Sequence, residues 1–200
     1  EELSPTALSS LAIRQIREPS EELRLRGTIP ALTEMAGAVS TAVRDQYEEN
    51  PYPRWLRMER DVAQTSVAAF LRNQFPEVSL AGLPEGAARI LIAGCGTGRH
   101  PIGTAWRFPE STVLAIDLSL TSLAYAQRKT RELGVGNIEY RQADLLAMGR
   151  HPERFDGVDC TGVLHHLDDP VAGRKILCSL LVPGGAIRVG LYNQIDRRHL

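Results

Sequence analysis

The stretch Ile90 to Arg99, ILIAGCGTGR, decides how this chain is read. Four apolar residues lead straight into a glycine-rich turn, and helix-like spacing follows. Such a run delivers a buried strand to the edge of a sheet. Gly94, Gly96 and Gly98 then let the backbone turn tightly and lie against a ligand, because no Cβ stands between. Ala93 and Cys95 belong to the same bend. Asp117 stands nineteen residues beyond Gly98, after a second apolar run, TVLAI. An acid at the tip of a second parallel strand is placed to accept hydrogen bonds from ribose hydroxyls. A nucleoside-containing cofactor is therefore expected.

Outward from this turn, strand and helix patterns alternate. Strands are expected at 89–93, 112–116, 138–141, 157–161 and 186–191. Helices are expected near 100–107, 119–133 and 171–181, with a short one near Leu145. This alternation predicts parallel βαβ units in three αβα layers, a Rossmann-like core over 86–200. Ligands of such sheets gather at the carboxyl ends of the strands, where Gly94, Asp117, Asp144 and Gly162 fall. Ahead of the core, 1–85 read as a helical cap. One helix carries Leu8, Leu11, Ala12 and Ile16. A second follows Leu32, Met35, Ala36, Val39 and Val43. A third is expected over Asp61 to Phe75, with Asp61 near its start. Pro19, Gly27 and Pro30 separate the first two.

The turn is G-x-G-x-G, with Arg99 where a nicotinamide-binding turn wants its third glycine. In this it resembles the class I S-adenosylmethionine-dependent methyltransferases. The resemblance extends over half the chain. Asp117 in AIDLS, with Leu118 beside it, matches the family's ribose-binding acid. Asp144 in RQADLL matches the residue that reads the adenine amino group, with Ala143 and Leu145 flanking the ring. FDGVDCTGVLHHLDDP, containing Gly162 and Val163, matches the fourth strand and the loop passing the reactive sulfonium. LLVPGGAIRVGLYN matches the fifth strand. The resemblance implies S-adenosylmethionine as methyl donor, S-adenosylhomocysteine as product and the strand order 3-2-1-4-5-7-6. It departs in one place: the family often carries an acid two residues before the first glycine, where Ile92 stands. Backbone carbonyls near Ala93 and Gly162 are then the expected acceptors for the cofactor's ammonium.

YEENPYPRW, Tyr47 to Trp55, holds two prolines and three aromatics in nine residues. It resembles the segment ahead of the core in bacterial methyltransferases that often sit behind tetratricopeptide repeats. Two readings stand. Tyr47, Tyr52 and Trp55 form a lid whose aromatic faces stabilise a sulfonium, with Arg54 meeting a carboxylate; or the segment packs the cap onto the sheet. His165 and His166 are general-base candidates beside the reacting methyl, or else a cap and a packing residue. Asp168 and Asp169 ahead of Pro170 read as a helix start. Tyr192 and Asn193 end the fifth strand on the expected substrate side.

Composition bounds the rest. A 43% hydrophobic, 24% charged chain of 200 residues can bury a core as one domain plus an accessory segment. Net charge is -1, with 9 basic and 13 acidic side chains in 1–86 and 14 and 11 in the remainder. That balance disfavours nucleic acid as a partner, since phosphate contacts require clustered Lys and Arg. A small-molecule acceptor is expected, with a protein acceptor the second choice. Cys95, Cys160 and Cys178 are too scattered for a disulfide framework, and no cluster is spaced for a metal. The N-terminus is acidic where a signal peptide is basic, and no apolar run spans a bilayer, so a cytoplasmic protein is expected. Lack of an initial Met and an end just after the fifth strand suggest a longer parent chain, truncated after that strand. The apolar edge so left is a site for homodimer formation. A non-catalytic nucleoside-cofactor-binding module and an NAD-dependent oxidoreductase remain the rival classes.

Overall fold

A parallel sheet with strand order β3-β2-β1-β4-β5 forms the centre of the molecule. The computed structural model describes residues 5–34 and 38–191. The strands are β1 (Arg89–Ala93), β2 (Thr112–Asp117), β3 (Ile138–Gln142), β4 (Phe155–Thr161) and β5 (Leu181–Gly190). Helices α5 (Arg99–Arg107), α6 (Leu120–Glu132) and α7 (Pro170–Ser179) connect them, with 3-10 turns at Leu145–Arg150 and Leu164–His166. Every strand pair is parallel, as helical crossovers require.

Alternation along β1 sorts the core into two layers. Ile90 and Ile92 pack with Val113, Ala115 and α6 residues such as Leu123 and Ala126. Leu91 and Ala93 face the opposite way, onto Val158, Cys160 and Leu177. Both faces of the strand are therefore covered, which explains its unbroken apolar run.

Ahead of the sheet lie α1 (Pro5–Ala12), α2 (Glu18–Arg26), α3 (Ala38–Glu49) and α4 (Val67–Gln74). Pro19 does not end the first helix. A π-turn at Ile13–Arg17 joins α1 to α2, with the Glu18 N–H reaching back to the Ile13 carbonyl, and Pro19 sits in the first turn of α2. There the π-turn just before it accommodates the ring and the missing N–H without ending the helical run. Leu32 is not helical: its N–H donates to the Gln142 carbonyl at 2.8 Å, and Ala31 forms a parallel bridge that covers the β3 edge. Met35 and Ala36, expected to be helical, lie outside the described residues, as do Tyr192 and Asn193. α4 begins at Val67 rather than near Asp61, because Ser66 supplies the N-cap, accepting from the Ala69 N–H at 3.1 Å.

A buried ion network fixes the cap to the core. Glu22 on α2 is 5% exposed, and its carboxylate accepts from Arg128 Nε at 2.9 Å and from Arg54 at 3.0 Å. Arg128, 5% exposed on α6, also pairs with Glu18 and Glu132. Removing one partner from such a cluster leaves buried charge uncompensated. Glu22→Ala is expected to cost about 3 kcal/mol in urea denaturation. It should also speed amide exchange in α2 while β1 and β4 stay protected. Unchanged stability would show that the network contributes nothing to docking.

Candidate active site

Asp117 and the glycine turn are built as one unit. The N–H groups of Gly94 and Cys95 donate to the Ile116 carbonyl at 2.8 and 3.0 Å, tying the turn to the tip of β2. Asp117 returns the link: one carboxylate oxygen accepts from the Gly96 N–H at 2.7 Å, the other from the Ser119 N–H at 3.0 Å. Gly94, Gly96 and Gly98 all have positive φ. A Cβ on Gly94 would lie 2.1 Å from Val163 Cγ2, and one on Gly98 would lie 2.6 Å from the Ala126 Cβ. The turn thus wedges between the loop after β4 and helix α6, where only bare backbone fits.

A cavity of about 270 Å³ opens above these strand tips. Gly94, Cys95, Gly96, Asp117, Leu118, Ala143, Asp144, Leu145, Gly162 and Val163 line it. Ala93 and Gly98 do not: Ala93 is wholly buried beneath the turn, and Gly98 packs against α6. Asp144 is 2% exposed. Its Oδ1 accepts from the Leu146 N–H at 2.9 Å, capping the following 3-10 turn, while Oδ2 is buried with no hydrogen-bond partner among the described residues. An acceptor in that state calls for a donor, since burying it unsatisfied is costly. An adenine amino group supplies one. The bare turn, the diol-sized acceptor at Asp117 and the unpartnered oxygen at Asp144 fit an adenosine laid across the strand tips.

Burial pushes the Asp117 carboxyl upward; the N–H donors of Ser119, Gly96 and Leu118 act against it, and the nearby Glu48 charge adds to it. Cys95 is also pushed well up, by burial and then by Asp117, and burial drives Cys160 to about 12. Neither thiol is a thiolate at neutral pH, so neither is an activated nucleophile.

The segment expected to be a lid divides. Tyr47 and Tyr52 reach the cavity wall, with Ser40 and Val43 of α3 beside them. Trp55 and Arg54 do not, and for these two the packing alternative is the one that their contacts match. Trp55 is buried with Ile102, Trp106 and Tyr125, and its indole N–H donates to the Thr97 carbonyl at 3.2 Å. Arg54 meets the Glu22 carboxylate and lies 4.6 Å over the Tyr125 ring. The strap is held down further by Thr97 Oγ1 donating to the Pro53 carbonyl. Of the two histidines, His166 lines the cavity and His165 does not; their ring centroids lie 4.2 Å apart with the planes tilted by 47°. Asp169 caps α7, accepting from the Val171 and Ala172 N–H groups. Sequence reasoning passed over Thr97, Arg99 and His100 as wall residues, although they continue the glycine turn into α5 and their position was the available signal.

With this geometry in hand, similarity to known proteins is specific. A family model described as a methyltransferase domain matches residues 90–185. An uncharacterized protein of Synechococcus sp. is 33% identical over 181 residues, covering 83% of this chain and 40% of that protein. The ubiquinone biosynthesis O-methyltransferase of Pseudomonas fluorescens is 35% identical over 124 residues, covering 62% and 50%. Among solved structures, PKMT2 from Rickettsia typhi in complex with AdoHcy superposes with a TM-score of 0.52 at 26% identity, covering 68% of this chain and 26% of that one. The chain spans about half the length, or less, of these curated relatives. These matches support a class I S-adenosylmethionine-dependent methyltransferase core over residues 90–185. Among the described residues, no helix is long and apolar enough to cross a membrane.

Two glycines of the turn should respond differently to substitution. Gly94→Ala meets both positive φ and the Val163 side chain, and is expected to cost roughly 3 kcal/mol. At Gly96 the nearest atom to a new Cβ is the Tyr52 carbonyl oxygen at 3.7 Å, so backbone conformation alone costs about 1 kcal/mol. Chemical denaturation of both variants measures the difference; equal losses would mean that the Val163 contact is not formed.

Proposed function

We propose that this chain binds S-adenosylmethionine in the strand-tip cavity and catalyses methyl transfer to a small-molecule acceptor. The observation that carries the reading is the pairing, in one cavity, of Asp117 beside the bare turn with the unpartnered buried oxygen of Asp144. When bound, the cofactor supplies an electrophilic methyl group on a cationic sulfur and leaves as S-adenosylhomocysteine. The protein's part is to orient and to exclude water. Asp117 uses one lone pair of each oxygen on the turn and keeps capacity for a ribose diol. Asp144 reads the adenine amino group between Ala143 and Leu145. Tyr47, Ser40 and Val43 of α3 line one wall of the cavity beside Tyr52, which bounds the space beside the cofactor and favours a compact acceptor over a macromolecular one. A dry, positioned site accelerates transfer because charge is lost from sulfur as the bond forms.

The small-molecule reading draws support from a relative named for ubiquinone biosynthesis and from a net charge of -1, which offers nucleic acid no basic footprint. Should the acceptor need a base, His166 is the histidine on the cavity wall. The bound-but-inactive alternative predicts cofactor affinity without labelled methyl transfer to any fraction of a metabolite extract. An oxidoreductase predicts binding of NADH instead.

Asp117→Ala should weaken S-adenosylhomocysteine binding at least tenfold by calorimetry, through loss of hydrogen bonds to a charged acceptor; an unchanged Kd contradicts the assignment. A pH dependence follows from the raised Asp117 pKa. Both ribose hydroxyls can donate only to the ionised carboxylate, so affinity is full above the raised value and falls as pH drops through it. In the ligand-free protein the sign reverses. The folded state favours the protonated acid, so this group's stabilising contribution is present below its unfolded pKa and is lost as pH rises through the folded one. Affinity that stays level on acidification past the raised value would exclude Asp117 as the diol's partner.

A further inference from the structure

Ser122, in the first turn of α6, carries a hydroxyl that the fold leaves unused. The residue is 1% exposed and lines the strand-tip cavity. Its N–H donates to Oγ of Ser119, the N-cap of α6, at 3.0 Å. Its own Oγ is buried and has no hydrogen-bond partner among the described residues. A serine inside a helix ordinarily turns its hydroxyl back onto a carbonyl three or four residues earlier. Here the Ser119 carbonyl accepts from the Leu123 N–H at 3.0 Å and the Leu118 carbonyl from Gln142 Nε2 at 2.9 Å; Ser122 joins neither. A buried hydroxyl without a partner costs stability in the ligand-free protein. Asp144 Oδ2 is a second atom of the cavity wall in the same state.

Four residues apart, Ser122 and Ala126 lie on one face of α6. That face meets the glycine turn, since a Cβ on Gly98 would lie 2.6 Å from the Ala126 Cβ. Ser122 therefore flanks the turn on the side of Asp117, away from Asp144 beyond β3. The part of an adenosine that lies there is the ribose. We propose that the Ser122 hydroxyl donates to one ribose hydroxyl of the bound cofactor, alongside Asp117 rather than in its place. The inference rests on the reading of the cavity as an S-adenosylmethionine site.

A ribose hydroxyl that gives its proton to Asp117 keeps lone pairs that a dry cavity must fill from a donor. The ionised carboxylate only accepts, so Asp117 cannot supply one. The neighbouring backbone donors are spent: the Gly96 and Ser119 N–H groups are both on Asp117, at 2.7 and 3.0 Å. The Ser122 hydroxyl has a proton to give, and giving it satisfies the serine and the sugar together. Ser122 is thus a binding residue that selects ribose over a deoxyribose and takes no part in the transfer itself. Its cost in the empty protein is the counterpart of its contribution in the complex.

Ser122→Ala tests this with and without ligand. In the ligand-free protein the substitution removes a hydroxyl that bonds to nothing, so the melting temperature should equal or exceed that of the wild type. By calorimetry the variant should bind S-adenosylhomocysteine about fivefold more weakly, the net worth of one neutral hydrogen bond. The 2′-deoxy and 3′-deoxy analogues of S-adenosylhomocysteine identify the contact. One of them should bind wild type and variant alike, while the other keeps the fivefold difference. An unchanged Kd for S-adenosylhomocysteine overturns the proposal. So does an equal loss for all three ligands, which would place the hydroxyl away from the ribose. A lower melting temperature of the ligand-free variant, or its failure to fold, marks a structural role and equally overturns it. If the wild type does not bind S-adenosylhomocysteine, the underlying cofactor reading fails and this inference with it; the other adverse results leave that reading standing.

Discussion

The whole site hangs on the way the backbone between Gly94 and Gly98 is gripped from three directions. Val163 closes from the loop after β4, Ala126 from α6, and Asp117 takes the Gly96 N–H from below. Each grip requires the absence of a side chain in the turn or the presence of an acceptor at the tip of β2. Only an acid meets the second need while both of its oxygens are engaged, because an amide would set an N–H against one of the two donors. The same carboxylate that shapes the turn is the one left facing the cavity. On the proposed function, fold and ligand binding draw on this one group, and its burial is the source of its raised pKa.

The cap is organised around the same helix that starts beyond Asp117. Glu48 near the end of α3 accepts from the backbone N–H groups of Leu120 and Thr121 at the start of α6, and Ser119 Oγ donates to the Tyr47 carbonyl. Further along α6, Arg128 and Lys129 are buried under α2 and the strap, where Lys129 reaches the Leu56 carbonyl and lies 5.0 Å over Trp55. These contacts make the roof an extension of the core rather than a separate flap. Tyr47 is consequently held at the cavity wall by the elements that also set Asp117.

Much of this was legible from residues alone, and the exceptions have physical reasons. The strands of the core read correctly because two-sided burial demands unbroken apolar runs. β5 begins at Leu181 rather than at Ala186, since Pro183 to Gly185 are carried in an irregular register against β4 and do not interrupt the strand. α4 was misplaced because Asp61 and Ser66 are equally good caps in isolation, and only the docked position chooses Ser66. Arg128 and Lys129 look like solvent-facing charges until Glu22 and Trp55, a hundred and more than seventy residues earlier, fold over them. Trp55 gave no sequence signal separating a lid from a packing anchor; its partners Ile102 and Tyr125 come from two different helices.

A crystal structure with S-adenosylhomocysteine is the most direct test of the central claim that Asp117 and Asp144 divide one adenosine between them. The account expects the adenine amino nitrogen within hydrogen-bond distance of Asp144 Oδ2 and both ribose hydroxyls on Asp117. Density showing the base away from Asp144, or the ribose held by other groups, would contradict it.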